Sequence, residues 1–192
     1  EFEYSILQKD INSEGIEFEA ISDQKYLNGR EIKPIPSATY AGRQLSKVLY
    51  NIDTDYSNTR ADFSYEYVTD CRNVNTHQIR IRGIGNFTGE TVVEFEIIPK
   101  NIEDEDVELV FTGDPLVYNG QEQIPAFDLK YAGDTILSYN GSDLIYLIMK
   151  AAQLSAEHNK NVNDGAVLTI KAVDPNYTGS KKVQFKIDPA SL

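Results

Sequence analysis

Glu103-Asp104-Glu105-Asp106 puts four carboxylates in a row, and clustered oxygens of this kind can hold a hard cation such as calcium. The matching stretch of the first half, Asn12-Ser13-Glu14-Gly15, has one acid, so such a site would belong to one half only. A solvated charge run is the plainer reading. Asn159-x-Asn161-x-Asn163 and Asp53-x-Asp55-x-Ser57 look like calcium-loop openings. Neither has Gly at the sixth position or Glu at the twelfth, so both read as polar loops. Asn86-Phe87-Thr88, Asn140-Gly141-Ser142 and Asn176-Tyr177-Thr178 match the glycosylation sequon. Two of these coincide with a repeated turn, and turns favour Asn, Thr and Gly for their own reasons.

Nucleophile chemistry has little to work with. His77 and His158 sit in unrelated surroundings, and neither has the neighbours of a Ser-His-Asp or Cys-His site. Cys71 follows Asp70 near a strand end and reads as a buried or incidental thiol. No Gly-rich phosphate loop is present. Arg80 and Arg82 share the outward face of one strand, with His77 near its start. They would balance Glu94 and Glu96 on the neighbouring strand, or meet an acidic partner. Twelve Tyr and no Trp leave room for carbohydrate or protein contact through exposed rings, with core filling as the plainer role. No residue is assigned to catalysis, to a cofactor or to a metal, and none is singled out for a ligand.

The composition narrows the classes further. With 30 acids and 18 bases in 192 residues the net charge is −12, so nucleic acid and anionic membrane are poor partners. One Cys excludes an internal disulfide framework, and two His exclude most zinc sites. An apolar content of 41% with 25% charged residues is that of a folded protein, and no run approaches a membrane span. The opening Glu-Phe-Glu-Tyr is not a signal peptide and reads as the start of a fragment or a mature piece.

Comparing the chain with itself supplies its organisation. Asn28-Gly29-Arg30-Glu31, Pro34 and Tyr40-Ala41-Gly42 recur as Asn119-Gly120-Gln121-Glu122, Pro125 and Tyr131-Ala132-Gly133, with seven identities in fifteen positions at an offset of 91. Gly85-Asn86-Phe87-Thr88-Gly89 recurs as Pro175-Asn176-Tyr177-Thr178-Gly179 at an offset of 90. Glu94-Phe95-Glu96-Ile97 with Pro99 recurs as Gln184-Phe185-Lys186-Ile187 with Pro189, again at 90. Two repeats follow, over 10–99 and 100–192. Residues 1–9 read as the last strand of a preceding repeat or as a linker, because Glu1-Phe2-Glu3-Tyr4 resembles Glu94-Phe95-Glu96-Ile97.

Within each repeat the apolar residues alternate. Phe63, Tyr65 and Tyr67 flank Ser64 and Glu66; Ile79 and Ile81 flank Arg80; Val93, Phe95 and Ile97 flank Glu94 and Glu96. In the second half Val107, Leu109 and Phe111, and Val183, Phe185 and Ile187, do the same. Period two with one wet face means antiparallel strands, about six or seven per repeat, in an all-β fold. Asn28-Gly29 and Asn119-Gly120 predict tight turns with positive φ. The Asn-aromatic-Thr-Gly block predicts a turn whose ring folds onto the core while Asn and Gly take special angles. Pro34 and Pro125 belong at an edge or a strand start. Residues 142–160 are ambiguous. Good helix formers suggest a short helix near 142–158, whereas matching Leu144–Met149 to Asp62–Val68 suggests a strand. Asp10–Gly15 and Asn101–Asp106 read as short linkers, which would make a semi-rigid rod.

Leu27-Asn28-Gly29, Pro34, Gly85-Asn86-Phe87-Thr88-Gly89 and Phe95-Glu96-Ile97 are similar to the signature of bacterial surface repeats of the MBG type, which are Ig-like. The second copy is Tyr118-Asn119-Gly120, Pro125, Asn176-Tyr177-Thr178-Gly179 and Phe185-Lys186-Ile187, with Pro175 where the family has Gly. The resemblance covers nearly the whole chain. It implies two tandem Ig-like antiparallel β-sandwich domains, with β-grasp-like modules as the alternative. It also implies an extracellular place on the bacterial surface and no catalytic residue. The expected role is a non-enzymatic stalk or spacer of an adhesin-like protein, with neighbouring repeats of the same chain as partners. The alternative is a module binding host glycan or mucin-like protein. Neither role involves nucleic acid or membrane insertion of this segment.

Overall fold

A computed structural model describes residues 5–51, 56 and 60–191. The Glu1-Phe2-Glu3-Tyr4 run and the Asp53-x-Asp55-x-Ser57 loop lie outside them. Apart from Tyr56, which is in 3₁₀ conformation, the regular elements among the described residues are strands, and the fold is all-β. It divides into two compact units. One runs up to Gln24 and takes up again from Glu31 to Ile97; the other combines Lys25–Arg30 with the chain from Ile98 onward.

The first repeat supplies β1 (Lys9–Asp10), β2 (Ile16–Phe18), β3 (Gln24–Lys25), β4 (Ala38–Tyr40), β5 (Arg43–Gln44), β6 (Lys47–Leu49), β7 (Phe63–Tyr67), β8 (Asn75–Gly83), β9 (Phe87–Thr88) and β10 (Glu90–Ile98). They form a five-stranded sheet in the order β3-β10-β8-β7-β6, a three-stranded sheet β2-β4-β5 and a β1–β9 pair. The alternation works as expected. His77, Ile79, Ile81, Phe95 and Ile97 are buried, and Thr76, Gln78, Glu94 and Glu96 between them are exposed. Phe18 of β2 meets Phe63 of β7 edge-on at 6.0 Å, so the smaller sheet packs across the larger one in a sandwich.

The second repeat supplies β11 (Lys100–Asn101), β12 (Val107–Phe111), β13 (Leu116–Val117), β14 (Phe127–Tyr131), β15 (Asp134–Tyr139), β16 (Leu144–Tyr146), β17 (Ala152–Glu157), β18 (Asn163–Ala172), β19 (Tyr177–Thr178) and β20 (Ser180–Asp188). Its sheets run β12-β14-β15-β16 and β13-β20-β18-β17, beside a β11–β19 pair. A register shift after Leu129 sets Leu129 opposite Leu137 and Lys130 opposite Thr135. Ile136 is the extra residue, and the bulge lets consecutive Ile136 and Leu137 both be buried.

Corresponding backbone bonds occur in both halves of the chain. Lys9 and Ile11 donate to the carbonyls of Asn86 and Thr88, as Lys100 and Ile102 do to Asn176 and Thr178. Tyr26 donates to Ile98 O and Tyr118 to Asp188 O, both at 2.9 Å. Asp10–Gly15 and Asn101–Asp106, which read as linkers, are folded turns that bury Ile11 and Ile102. In each turn a side-chain oxygen of the first residue accepts from the amide two residues on, Asp10 from Asn12 and Asn101 from Glu103.

Further expectations need correction. The pairing is not wholly antiparallel: β1–β9, β6–β7, β11–β19 and β13–β20 are parallel. These contacts span two or three residues, too few to leave a period in the sequence, and they raise the strand number above six or seven. The helix near 142–158 is absent. Leu144–Tyr146 pairs with β15, and Ala152–Glu157 pairs with β18 through Ala152, Leu154 and Ala156 on its more buried face. Between these strands the Asp174 carboxylate accepts the Lys150 amide at 2.6 Å, which fixes a turn where a helix would run. The β-grasp alternative loses its helix for the same reason. Last, Leu144–Met149 is not the counterpart of Asp62–Val68. Ile84 donates to Asp62 O and Val173 to Ala151 O, so Phe63 answers Ala152. Matching by apolarity slipped because small alanines fill that strand.

Neither proline lies in a strand: Pro34 and Pro125 stand in irregular chain, four and two residues before β4 and β14. Asn28 and Gly29 take φ of 49° and 72°, but in the second copy Gly120 alone does. In the Asn-aromatic-Thr-Gly block Phe87 and Tyr177 are each 4% exposed, and the glycines, not the asparagines, carry the positive φ. Tyr-Ala-Gly proves to be a two-residue hairpin loop. Tyr40 pairs with Arg43 across Ala41 at φ 50° and Gly42 at φ 76°, and Tyr131 pairs with Asp134 across Ala132 and Gly133 in the same way. An alanine in the left-handed region is strained by roughly 1 kcal/mol, and Asn tolerates it better. Ala41→Asn is therefore expected to raise the first unit's stability by about 0.5–1 kcal/mol, read as a higher thermal midpoint. A lower midpoint would contradict the strain.

Candidate functional site

The acidic run is folded around a cation that the chain itself supplies. Lys100 is 1% exposed, and its Nζ donates to Asp104 Oδ2 at 2.8 Å and to Asp106 Oδ1. It also lies 4.7 Å from the centre of the Tyr131 ring. Lys25 reaches Asp104 at 3.0 Å, and Glu103 accepts the Ser180 amide at 2.9 Å. The run is thus neither a plain solvated stretch nor a vacant ring of oxygens. Among the described residues no cluster of His, Cys, Asp or Glu has the makings of a metal site. The first repeat shows the simpler form, with Lys9 over Tyr40 at 5.0 Å and Ser13 and Gly15 where the acids would be.

Burial pulls the Lys100 ammonium toward a lower pKa, and its bonds to Asp104 and Asp106 outweigh burial and hold it above the usual lysine range. Asp104 is held below the usual carboxylate range by hydrogen bonds from Lys100 and Lys25. Asp62 is 7% exposed and also lowered. Burial would raise it, but Arg43 at 2.9 Å and the Ser46 amide and hydroxyl win. Carboxylates lowered by folding contribute stability that is present above about pH 4 and lost as pH falls through their folded values. Lys100, raised by folding, contributes stability that is lost only as pH rises through its folded value. The thermal midpoint is therefore expected to fall between about pH 4 and about pH 2, and less so in Asp62→Asn. An equal fall in that variant would contradict the role given to Asp62.

The basic stripe is internally balanced, by other acids than expected. Arg80 binds Glu66 at 2.8 Å and Glu90 at 3.1 Å, and Arg82 binds the same two at 3.0 and 2.8 Å. Register decides this. Glu90 lies opposite Arg82 and Glu66 opposite Arg80, whereas Glu94 lies opposite Gln78 and Glu96 opposite Thr76. His77 points inward, not along the stripe. It is 4% exposed, bonded to Thr69 Oγ1 and Asn73 O, and stacked on Phe95 at 5.5 Å. Cys71 is fully buried, with its thiol toward Thr69 O. His158 is an exposed turn residue at φ 56°. Asn140 Oδ1 accepts from Ser142 and Asp143, so that sequon is a hydrogen-bonded turn. Asn163 Oδ1 accepts the Gly165 amide in the same manner.

Tyrosines cluster inside the second unit. Tyr26 lies edge-on to Tyr177 at 5.2 Å. Tyr131 Oη donates to Tyr26 O at 3.2 Å, and Tyr177 Oη to Asn28 Oδ1 at 2.9 Å. Asn28 Nδ2 donates to Tyr131 O at 2.7 Å, and Arg30 binds Asp134 at 2.7 Å. Burial pushes all three phenols upward. Only Tyr118 and Tyr146, of the described tyrosines, are strongly exposed. A cleft of about 550 Å³ in this unit is lined by Tyr139, Asn119, Gln123, Asn159, Asp114 and Glu122. No single motif in the sequence advertised it, because its walls come from four separate loops and strands.

Among the described residues no helix is long and apolar enough to cross a membrane. No family model matches the chain. No curated protein matches it. Among solved structures it is similar to the protocadherin gammaB7 EC3-6 cis-dimer structure, at 11% identity and a TM-score of 0.23. That match covers 90% of this chain and 47% of the other, so this chain spans about half the length of its neighbour. The all-β assignment accordingly rests on the strand pairing of the chain itself.

Proposed function

We propose that this chain is a non-enzymatic spacer from a bacterial cell-surface, adhesin-like protein, made of two Ig-like repeats of the MBG type. One observation carries the reading. The same backbone bonds recur at an offset of 89 to 92 residues, from Lys9–Asn86 and Lys100–Asn176 to Tyr26–Ile98 and Tyr118–Asp188. Repetition of a whole β unit is how a chain extends itself without adding a new site. The groups that could have done chemistry support it, since His77, Asp62, Lys100 and the arginine stripe spend their polar atoms on the fold. The reading expects antibodies against this chain to label intact producing cells, and protease treatment of those cells to remove the label. Labelling only after permeabilisation would contradict it.

A second reading, a module for host glycan, draws on the cleft around Tyr139. An aromatic ring among amides and carboxylates suits a sugar, offering one stacking face and several hydroxyl partners. A glycan array would show a reproducible hit that Tyr139→Ala removes. An array without one would leave the spacer reading alone.

A further inference from the structure

Inside the second unit, Lys25–Arg30 has a specific seat. Tyr26 packs on Tyr177, Asn28 binds Tyr131 and Tyr177, and Arg30 binds Asp134. The segment occurs again. Tyr118 makes the backbone bond that Tyr26 makes, and Asn119-Gly120-Gln121 follows it with one residue fewer than Leu27-Asn28-Gly29-Arg30. This copy is bare. Val117 is 47% and Tyr118 42% exposed, and the Tyr118 hydroxyl has no hydrogen-bond partner among the described residues. Tyr26, by contrast, is 3% exposed. Beside the bare copy runs an apolar groove of about 370 Å³ lined by Phe111, Pro115, Leu116, Pro125 and Phe185.

The seat also has a counterpart. Tyr131, Asp134 and Tyr177 answer Tyr40, Arg43 and Phe87 of the first unit. There Tyr40 is half-buried over Phe87 at 5.9 Å, and the Arg43 side chain is 59% exposed. We propose that Tyr118–Gln121 docks on the Tyr40–Arg43 face of the first unit in a second copy of this chain. The polar pair changes in step. Arg30 on Asp134 becomes Gln121 on Arg43, where the amide oxygen accepts from the guanidinium. Arg43 holds Asp62 through its two terminal nitrogens and keeps its Nε–H to offer. Phe87 lacks the hydroxyl that Tyr177 gives to Asn28, so the contact is weaker than the one inside the second unit. The inference rests on the repeat and is independent of the surface location given to the protein.

Sedimentation velocity on the full chain between about 10 µM and about 1 mM tests it, a range set by the millimolar effective concentrations of tethered contacts. Wild type is expected to self-associate toward the upper end, with hydrogen exchange slowing at 116–121. Tyr118→Ala alone and Arg43→Gln alone should each weaken association at least tenfold. Mixing the two variants should restore one-to-one dimers, because one keeps the face and the other keeps the segment. Circular dichroism melts verify that both variants fold. A chain that stays monomeric throughout, association that survives Tyr118→Ala, or a mixture that restores nothing would each overturn the proposal.

Discussion

Phe63→Ala is expected to destabilise the first unit by about 3–5 kcal/mol, the usual cost of an aromatic truncation in a closed core. Phe63 is fully buried, and its ring is the one that Phe18 meets from the opposite sheet at 6.0 Å. A unit of this size holds roughly 5–13 kcal/mol in all, so the loss takes roughly a quarter of it or more. The second repeat has Ala152 at this position and packs Ala172 where the first has Gly83, so its core is filled differently. Ala152→Gly, removing one methyl from a residue 9% exposed, should accordingly cost far less. Chemical denaturation measures both. Equal losses would show that Phe63 is not the anchor between the sheets.

Lys100→Ala is expected to cost the second unit about 3 kcal/mol, through the cavity left by its stem and the loss of the ammonium between two aspartates. Lys100→Met separates these parts. Asp104 and Asp106 are 29% and 61% exposed at their side chains, so water takes over much of what the ammonium gave them. Met keeps the buried volume against Tyr131. The methionine variant is therefore expected to lose about 1 kcal/mol or less. If Met and Ala were equally damaging, the charge and not the packing would hold this corner. In that case the acid run would deserve the name of a cation site filled from within.

Much of the fold was legible because period two and turn residues leave strong marks. Ile79, Ile81, Phe95 and Ile97 announced their buried face, and Asn28-Gly29 announced its positive φ. The features that leave no mark in the sequence are short or depend on register. Two-residue parallel pairs carry no period. Ala152, Leu154 and Ala156 alternate too weakly to be told from a helix former's run. Arg80 and Arg82 could be placed on an outward face, yet their acids could not be chosen until Glu90 fell opposite Arg82. Lys100 was hidden because a lysine beside four acids reads as surface, whereas comparison with Lys9 over Tyr40 could have marked it as part of the repeated core.

Pulling one molecule from both ends tests most directly whether a single β unit has been written twice to serve as a spacer. Each repeat of about 90 residues should release roughly 30 nm of contour length, at about 3.5 Å per extended residue. Two separate unfolding events are expected, together releasing the length of both repeats. One event releasing all of it at once, with both halves giving way together, would contradict this.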